Sequence, residues 1–395
     1  MQKVYLDNAA TTKVSGEVLN EMLPLFSEMY GNPNSPHSFG REVQNLVDKA
    51  RDRVAKAINA SRGEIYFTSG GTEANNWALM GLALANKNKG NHIITSSIEH
   101  HSVIETCKKL EQMGFEVTYL PVDKKGLVDL AELIHVISDK TILVSIMSAN
   151  NEIGTIQNIK TIVQIAHERG VLVHSDCVQA GGSFRIDAKD LGIDSISISS
   201  HKIHGPKGCG ALFVKKGVKI DPLIVGGEQE RGKRGGTLNA PAIVGFGKAI
   251  EVLSQNYIVD SKKLRSLRDY FINRVLEDIP NVTVNNRHTQ SLPGLASLSF
   301  GQIKGEALTL LLDMNGIAVS NGSACSTGSV EPSHVLKALG VDEEVAQGTV
   351  RFSFSVENTK EEADYVVETL KKCVAKLRSI SPFKAPNKSK EGGNA

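Results

Sequence analysis

The chain has 395 residues, of which 41% are apolar and 22% are charged, and its formal net charge is +2. This composition is typical of a folded globular protein, and so small a charge argues against a nucleic-acid or membrane partner. The N-terminus shows no apolar signal region, and the apolar stretches are too short to span a bilayer. We therefore expect a cytoplasmic protein.

Helical and strand patterns alternate from about residue 41 to residue 200. Short apolar strands that alternate with helices indicate a largely parallel sheet covered on both faces, which is an α/β fold. The predicted strands are residues 65–67, 93–95, 117–120, 142–147, 171–176 and 195–200.

The pattern changes after about residue 260, where a charged amphipathic helix is predicted at residues 262–276. Strands at 282–284, 296–300 and 349–356 and a final helix starting at Thr359 follow, which is typical of an α+β domain. We predict a large domain of residues 15–260, a small domain of residues 1–14 and 261–384, and a disordered tail of residues 385–395.

Polar residues follow five of the predicted strands. Because ligands of open α/β sheets bind outside the carboxyl ends of the strands, these residues point to one shared site. A lysine there can form a Schiff base with an aldehyde cofactor, and an aspartate can hold the pyridine nitrogen of pyridoxal phosphate (PLP). Taken alone, Asp176 and Lys202 would favour a helix cap and a surface lysine, but five such ends favour a site. The five residues are Thr68, His100, Asn151, Asp176 and Lys202.

The turn after the strand at 65–67 contains Gly70, Gly71 and Thr72. Glycines at a strand-to-helix turn let backbone N–H groups approach an anion, and the helix dipole favours its charge. The chain has neither a P-loop nor a dinucleotide-binding glycine pattern. A cofactor with a single phosphate therefore fits better than ATP or NAD.

The five cysteines are odd in number and include no C-x-x-C pair, which argues against a disulfide framework and a zinc site. Cys325 lies in a run of small polar residues, and we predict an exposed mobile loop that carries a nucleophilic thiol. The other four read as structural. These are Cys107, Cys177, Cys209 and Cys373. His201 and His204 lack a completing ligand, so we predict no metal site.

Seven motifs resemble the PLP-dependent cysteine desulfurases of the NifS/IscS type, a likeness that spans about residues 3–380. The long Cys325 loop and residues 381–383 are more similar to the NifS branch. The motifs are residues 5–12, 31–35, 69–76, 149–154, 199–202, 229–237 and 322–336.

The resemblance implies an aspartate-aminotransferase-like fold (PLP fold type I) and a homodimer with shared active sites. It implies that Lys202 carries the cofactor and moves the substrate α-proton, that Asp176 holds the pyridinium nitrogen, and that Cys325 accepts sulfur. His100 would stack on the ring as a further catalytic residue. The other implied contacts are Gln179 to the phenolic oxygen, Asn151 to ring or substrate, and Gly71, Thr72, Ser199, His201 and a second subunit's Thr237 to the phosphate.

Arg351 interrupts a predicted strand with a guanidinium, whose planar fork suits a carboxylate. The resemblance gives it the substrate carboxylate, with Asn32 and Asn34 nearby. Cys177 stands where alanine is usual in the family, which adds a second thiol near the ring.

The implied reaction takes sulfur from L-cysteine, leaving L-alanine and a persulfide on Cys325. An iron–sulfur scaffold protein or another sulfur acceptor would receive the sulfur, and the sequence does not distinguish nitrogenase, general iron–sulfur or tRNA-thiolation pathways. A PLP aminotransferase or selenocysteine lyase on the same fold, and a non-enzymatic sulfur scaffold, remain as alternatives. The Cys325 loop argues against an aminotransferase, and the intact Lys202 and Asp176 argue against a scaffold.

Overall fold

The computed structural model describes residues 2–180, 186–285, 290–321 and 332–381. Within these ranges it has thirteen strands. They are β1 (Val4–Tyr5), β2 (Ile65–Thr68), β3 (His92–Ser96), β4 (Glu116–Leu120), β5 (Thr141–Ser145), β6 (Leu172–Asp176), β7 (Ser195–Ser199), β8 (Gly210–Val214), β9 (Val282–Val284), β10 (Leu295–Phe300), β11 (Ile317–Ala318), β12 (Ser320–Asn321) and β13 (Thr349–Ser353).

Fourteen helices connect these strands in the described part of the chain. They are α1 (Gly16–Met22), α2 (Pro24–Ser27), α3 (Ser38–Ala57), α4 (Gly71–Asn86), α5 (His101–Gln112), α6 (Leu130–Val136), α7 (Ile159–His167), α8 (Ala188–Leu191), α9 (Gln229–Gly232), α10 (Ala240–Asp278), α11 (Gly305–Asp313), α12 (His334–Ala338), α13 (Glu343–Gln347) and α14 (Lys360–Ile380).

The central sheet has seven strands in the order β2–β8–β7–β6–β5–β3–β4. The five strands β3 to β7 run parallel, and β8 runs antiparallel between β7 and β2. One hydrophobic cluster packs α4 and α5 against one face, and another packs α3, α7 and the start of α10 against the other. Burial on both faces explains the mostly apolar sequences of β5 and β8. Strand β7 is also buried throughout although it alternates serine and isoleucine, and its Ser195 and Ser197 hydroxyls are hydrogen-bonded.

A second sheet has four antiparallel strands in the order β12–β13–β10–β9. Its hydrophobic cluster is formed with α11, α14 and the second half of α10. Val4 and Leu6 belong to the same cluster, and β1 pairs in parallel with β11. Residues 4–6 therefore pack with the C-terminal part of the chain and not with the large sheet.

The helix predicted at residues 262–276 proves to be the second half of α10, which runs unbroken over 39 residues. Its first half is rich in small apolar residues, and Gly247 packs against Ala50 of α3, where a Cβ would lie 2.6 Å away. The first half of α10 is largely buried, and its second half is charged and amphipathic. Only the second half therefore shows the pattern by which a surface helix is predicted from sequence. The last strand is also shorter than predicted and ends at Ser353.

The predicted α/β fold with a mostly parallel sheet and a smaller α+β part is confirmed. The predicted final helix is confirmed as α14, and Thr359 and Glu362 form a capping box at its start. In the described ranges the structure contains no helix long and apolar enough to cross a membrane. Cys325 and the tail predicted at 385–395 lie outside the described residues.

Candidate functional site

The carboxyl ends of β6 and β7 lie side by side, with Asp176 in register with Ser197. Asp176 is the last residue of β6, and a 3₁₀ turn of Ser200–Lys202 directly follows β7. Both strands are buried almost throughout, and two polar residues inside the sheet, His174 and Ser197, hydrogen-bond to each other. The structure thus brings the carboxylate and the amine to one edge.

The N-terminal segment closes over Lys202. The Lys202 ammonium donates from Nζ to the carbonyl oxygens of Ala9 and Ala10, at 2.6 and 2.7 Å. Gln179 Nε2 donates to the same Ala9 oxygen at 3.0 Å. Thr12 is tied to the turn by a hydrogen bond from its N–H to the carbonyl oxygen of His201, at 2.9 Å. Residues far apart in sequence are therefore in contact at the amine.

A polar pocket lies at the N-terminus of α4. Gly70 has φ +154° and ψ −176°, a conformation that only glycine adopts readily, and a Cβ on Gly71 would lie 2.5 Å from Val178. The two glycines keep the backbone N–H groups accessible. The lining residues are Ala10, Thr11, Ser69, Gly70, Gly71, Thr72, Glu73, Ser199, His201, Lys207 and Gly208.

Two side chains of this pocket suit an anion. The Ser199 hydroxyl is buried and makes no hydrogen bond within the described part of the chain. Burial, reinforced by the positive charges of Lys202 and Lys207, lowers the pKa of His201 to about 4. His201 is therefore neutral at neutral pH, and its Nδ1 lies 3.1 Å from the Thr11 hydroxyl oxygen.

Glu73 places a carboxylate in the same pocket, but its charge is satisfied. The Ser69 N–H donates to Oε2 at 2.8 Å, and Arg234 Nε donates to Oε1 at 2.9 Å. Burial alone would raise the pKa of Glu73, but the hydrogen bonds from Arg234 and Ser69 outweigh it and lower the pKa. The Glu73–Arg234 ion pair also connects the turn of residues 69–72 to the glycine-rich segment of residues 232–237, which includes Thr237.

Asp176 is buried and fully engaged by donors. Its Oδ2 accepts a hydrogen bond from Asn75 Nδ2 at 2.6 Å, and its Oδ1 accepts one from the Val178 N–H at 2.9 Å. Asn75 belongs to α4, so that helix holds both the glycine turn and the carboxylate. A carboxylate oxygen can accept more than one hydrogen bond, so Asp176 can also accept one from a ligand N–H.

His100 is the N-cap residue of α5, and its Nδ1 accepts the Ser102 N–H at 3.1 Å. Burial lowers the pKa of His100, and the charges of Lys202 and His101 act in the same direction, whereas Asp176 opposes them. The imidazole is therefore neutral near pH 7. This placement brings His100 within electrostatic range of both Asp176 and Lys202.

Arg351, in β13, is buried and joins three parts of the chain. Its Nη1 donates to the carbonyl oxygen of Asn151 at 2.9 Å, and its Nη2 donates to Asp7 Oδ1 at 2.9 Å. Its Nε is buried without a hydrogen bond in the described residues. Beside it, burial raises the pKa of Glu152 to about 7, against the lowering effects of Ser333 and Arg351. This guanidinium has donors left for an added carboxylate.

Three predicted site residues are placed apart from this cluster. Thr237 is exposed on the glycine-rich segment. Asn32 and Asn34 are exposed in one turn, where Asn32 Oδ1 accepts the Asn34 N–H at 3.0 Å. Cys325 lies outside the described residues, as does everything from 322 to 331. Thr237, Asn32 and Asn34 are thus exposed, whereas Asp176 and Arg351 are buried.

The four cysteines in the described ranges are free and buried. Burial raises the pKa of each thiol, to about 12 for Cys177, whose hydrogen bonds to Ser148 and Ser175 act in the opposite direction. A buried neutral thiol is a poor nucleophile, because the thiolate is the reactive form. The prediction that these four are structural therefore has a physical basis in the structure.

Several residues of the cluster were missed by reasoning from the sequence. Asp7 and Asn75 lie inside recognised motifs but had no assigned role, and Ser102 carried no signal at all. The carbonyl groups of Ala9 and Ala10 on Lys202 could not be foreseen, because backbone atoms leave no trace in residue types.

In the described ranges, no group of three or more His, Cys, Asp and Glu side chains is arranged to hold a metal ion.

Comparison with known proteins gives consistent results. The family model for class-V aminotransferases matches residues 4–366. A cysteine desulfurase IscS of Clostridium botulinum is 51% identical over 384 residues, which cover 97% of this chain and 97% of the relative. A cysteine desulfurase IscS of Methanosarcina thermophila is 52% identical over 380 residues, covering 96% and 94%. A solved NifS-like protein superposes with a TM-score of 0.90 at 42% identity and covers 95% of this chain and 100% of its own.

Proposed function

Because the chain belongs to the class-V aminotransferase family as a PLP-dependent cysteine desulfurase, we propose that Lys202, Asp176 and Cys325 carry its reaction on L-cysteine. Membership of this family confirms the resemblance in the motifs, the fold type I architecture and the cofactor. A solved structure titled SspA in complex with cysteine is 35% identical, with a TM-score of 0.81 over 90% of this chain and 100% of that chain. The observation that carries the assignment of residues is the placement of Asp176 and Lys202 at adjacent strand ends.

The residues present fit PLP. The buried Ser199 hydroxyl without a partner, the open backbone at Gly70 and Gly71, and the neutral His201 suit a phosphate monoester. The Asp176 carboxylate, held by two donors, suits the protonated ring nitrogen, and Gln179 suits the phenolic oxygen. When bound, PLP supplies an electron sink that acidifies the substrate α-proton and activates its side chain.

Lys202 has two tasks in this proposal: to hold the cofactor through its amine, and to move the substrate α-proton once substrate has displaced it. The Ala9 and Ala10 carbonyl oxygens, at 2.6 and 2.7 Å, hold the ammonium just beyond the end of β7. An amine at this position would take a proton from the substrate carbon and return one to the product. His100, as a neutral imidazole, would stack on the cofactor ring.

Arg351 binds the substrate carboxylate in this proposal. It is buried, held by the Asn151 carbonyl oxygen and the Asp7 carboxylate, and its remaining N–H groups present a planar fork. The orientation of the amino acid is then set by two points, the guanidinium and the site of the amine. We also propose that Asn32 and Asn34 lie near the bound substrate.

Cys325 is proposed as the sulfur acceptor because the four described cysteines are buried. Its thiolate attacks the substrate sulfur, so that an S–S bond forms as the C–S bond breaks. The electron pair of the broken bond is left with the carbon fragment, which becomes alanine when protons return to it. No external oxidant or reductant is needed, because the sulfur leaves as a persulfide.

We propose that the active protein is a homodimer. Leu23, Phe26, Tyr30 and Phe39 lie close together in the sequence and are between 53% and 68% exposed, and the ring centroids of Tyr30 and Phe39 lie 6.0 Å apart. Patches of this kind mark interaction surfaces, and an exposed Thr237 is accessible to a second subunit.

We also propose a division into two domains, of residues 15–260 and of residues 1–14 with 261–384. The two separate hydrophobic clusters support it.

The persulfide sulfur is proposed to pass to an iron–sulfur scaffold protein or another acceptor in the cytoplasm. The experiment that tests the reaction itself is incubation of the purified holoenzyme with L-cysteine, followed by assay of alanine and sulfide and by mass analysis of the Cys325 peptide. Equal alanine and total sulfur, with one added sulfur atom on that peptide, is the expected result. Lys202→Ala should abolish alanine formation, whereas Lys215→Ala, at an exposed lysine, should not. An added sulfur on a different cysteine would overturn the assignment.

A further inference from the structure

A continuous chain of hydrogen bonds joins the Asp176 carboxylate to the His100 ring. Asn75 Nδ2 donates one hydrogen to Asp176 Oδ2 at 2.6 Å and the other to the Ser102 hydroxyl oxygen at 2.9 Å. The Ser102 hydroxyl lies 2.8 Å from His100 Nδ1. Asn75, Ser102 and Asp176 are buried, with exposures of 1%, 8% and 5%. Two helices, α4 and α5, meet through this chain.

The positions of the protons follow from the donors that cannot change. The Ser102 backbone N–H can only donate, and it points at His100 Nδ1 over 3.1 Å, so Nδ1 carries no proton. The Asn75 amide likewise only donates from Nδ2, so the Ser102 hydroxyl oxygen is an acceptor on that side. The hydroxyl proton is then free for His100 Nδ1. The neutral imidazole therefore has its proton on Nε2.

We propose that Asn75 and Ser102 are positioning residues that hold His100 as the neutral tautomer with its proton on Nε2 and tie its orientation to Asp176. That the two residues serve the bound cofactor rests on the proposed function. The assignment of the tautomer does not, because it follows from the protein's own donors.

The orientation of Asn75 is the second observation behind this inference. Its Oδ1 is buried and makes no hydrogen bond within the described chain, whereas Nδ2 makes two. A flipped amide would place Oδ1 against the Asp176 carboxylate, where two acceptors would repel each other. The unsatisfied oxygen is tolerated because the nitrogen is needed by Asp176 and Ser102 together.

Two of the three charged groups around His100 also favour its neutral form. Lys202 and His101 lower the pKa of His100, and the ring centroid of His334 lies 4.9 Å from that of His101. Asp176 alone favours the charged form. The N-terminus of α5 adds a positive end of a helix dipole at the ring. Protonation of Nδ1 would also break the cap at Ser102.

The consequence for the reaction is that His100 can donate a proton from Nε2 but cannot accept one at Nδ1. A neutral ring also avoids placing a second positive charge beside the pyridinium nitrogen that Asp176 holds. The Asp176 carboxylate is then available to bind the cofactor nitrogen and does not pair with a charged His100 ring. His100 would therefore stack on the cofactor ring and donate a hydrogen bond from Nε2, and it would not act as a general base through Nδ1.

The test uses protein labelled with ¹⁵N at histidine and is first read on the apoprotein. The His100 signal, identified as the one missing in His100→Gln, should show a neutral ring with the proton on Nε2 across pH 6 to 8. In Asn75→Ala and in Ser102→Ala, loss of a hydrogen bond should raise the His100 pKa by about one unit, a tenfold shift in the protonation equilibrium. Ser102→Thr, which keeps the hydroxyl, should restore the wild-type value.

The matched control is Asn86→Ala. Asn86 is a buried asparagine on the same helix, and its Nδ2 donates to the carbonyl oxygen of Leu82 on that helix. It lies about 16 Å along α4 from Asn75 at 1.5 Å per residue, so its loss tests stability alone. The control should leave the His100 signal unchanged. A ring protonated on Nδ1 in the wild type, or a His100 titration unmoved in Asn75→Ala and Ser102→Ala, would overturn the proposal.

The second readout is the visible absorbance of the holoenzyme as a function of pH. The midpoint of its titration should move in Asn75→Ala and Ser102→Ala and stay fixed in Asn86→Ala. A shifted His100 signal in the apoprotein with an unmoved absorbance titration would refute the link to the cofactor. Because neither readout uses cysteine turnover, failure of the proposed desulfurase reaction would be seen separately, as absent alanine formation by a protein with the expected spectra.

Discussion

Arg351 Nη2 lies 2.9 Å from Asp7 Oδ1, a contact that joins β13 to the N-terminal segment across 344 residues. The Ser353 hydroxyl oxygen accepts the Ala9 N–H at 2.9 Å in the same region, and Ala9 in turn offers its carbonyl oxygen to Lys202. The N-terminal segment therefore connects the guanidinium on the small sheet with the amine on the large one. The two ends of the proposed substrate site are mechanically linked through it.

Replacement of Arg351 by lysine should raise KM for L-cysteine by roughly 10- to 100-fold, because the planar fork and its bond to Asp7 are lost. The cofactor absorbance should stay as in the wild type, since Arg351 does not contact the proposed phosphate pocket. Steady-state kinetics with alanine as the product measures the effect. Arg274→Lys, at an arginine that pairs with Asp278 and Asp364 on α10 and α14, is the matched control. A lowered kcat with an unchanged KM would contradict a role in binding the carboxylate.

Cys325→Ala should keep the cofactor absorbance and lose persulfide formation and sulfide release. Cys177→Ala should turn over within about twofold of the wild type, because burial raises the Cys177 pKa to about 12 and leaves a neutral thiol. Peptide mass analysis after a single addition of L-cysteine distinguishes the two. Loss of activity in Cys177→Ala, with a folded protein and bound cofactor, would show that the second thiol takes part.

Glu230→Gln should lower the free energy of unfolding by about 3 kcal/mol, because Arg51 would be left buried without its counter-charge. Arg51 donates to both carboxylate oxygens of Glu230, at 2.7 and 2.5 Å. Glu230 and Arg231 also adopt left-handed backbone conformations, with φ of +46° and +59°, that this pair helps to hold. The midpoint of denaturant unfolding is the measurement.

The double variant Arg51→Met with Glu230→Gln is the control for that prediction. With both charges removed, most of the lost stability should return, since no unpaired ion remains buried. The Phe67 N–H keeps an oxygen acceptor in both variants, because it donates to Glu230 Oε2 in the wild type. A double variant as unstable as Glu230→Gln would mean that shape and not charge is decisive.

Glu99 should make the protein less stable as the pH rises. It is fully buried, and burial raises its pKa to about 8, against the lowering effect of hydrogen bonds from Ser96 and the Met147 N–H. The folded state then binds a proton that the unfolded state releases above its ordinary pKa near 4.5. Stability contributed by the neutral group is complete below that value and is lost between about pH 4.5 and 8.

The total contribution is on the order of 5 kcal/mol at 1.36 kcal/mol per pKa unit. Urea unfolding at pH 5 and at pH 8.5 would measure it in the wild type and in Glu99→Gln, which stays neutral at every pH. The variant should lose less stability over this range than the wild type does. Equal losses in the two proteins would show that Glu99 is ionised in the folded state near pH 7.

The alternation of short, largely apolar strands with helices was enough to predict the parallel sheet, because strands covered on both faces bury most of their side chains. The rule that ligands bind at the carboxyl ends of such strands then assigned Asp176 and Lys202 to one edge. Cys325 stood out by its composition, since a thiol among small polar residues has no packing role. Each of these signals is local, and each can be recognised within about ten residues of sequence.

The tertiary structure alone decided which distant groups satisfy one another. Helices α4 and α5 must pack on the sheet before Asn75 can reach Asp176 and Ser102, and the N-terminal segment must return before Asp7 meets Arg351. Hydrogen bonds depend on distances within a few tenths of an ångström, which no spacing in the sequence encodes. Residue types thus determined the kind of chemistry, whereas packing determined the proton positions and partners with which that chemistry can be carried out.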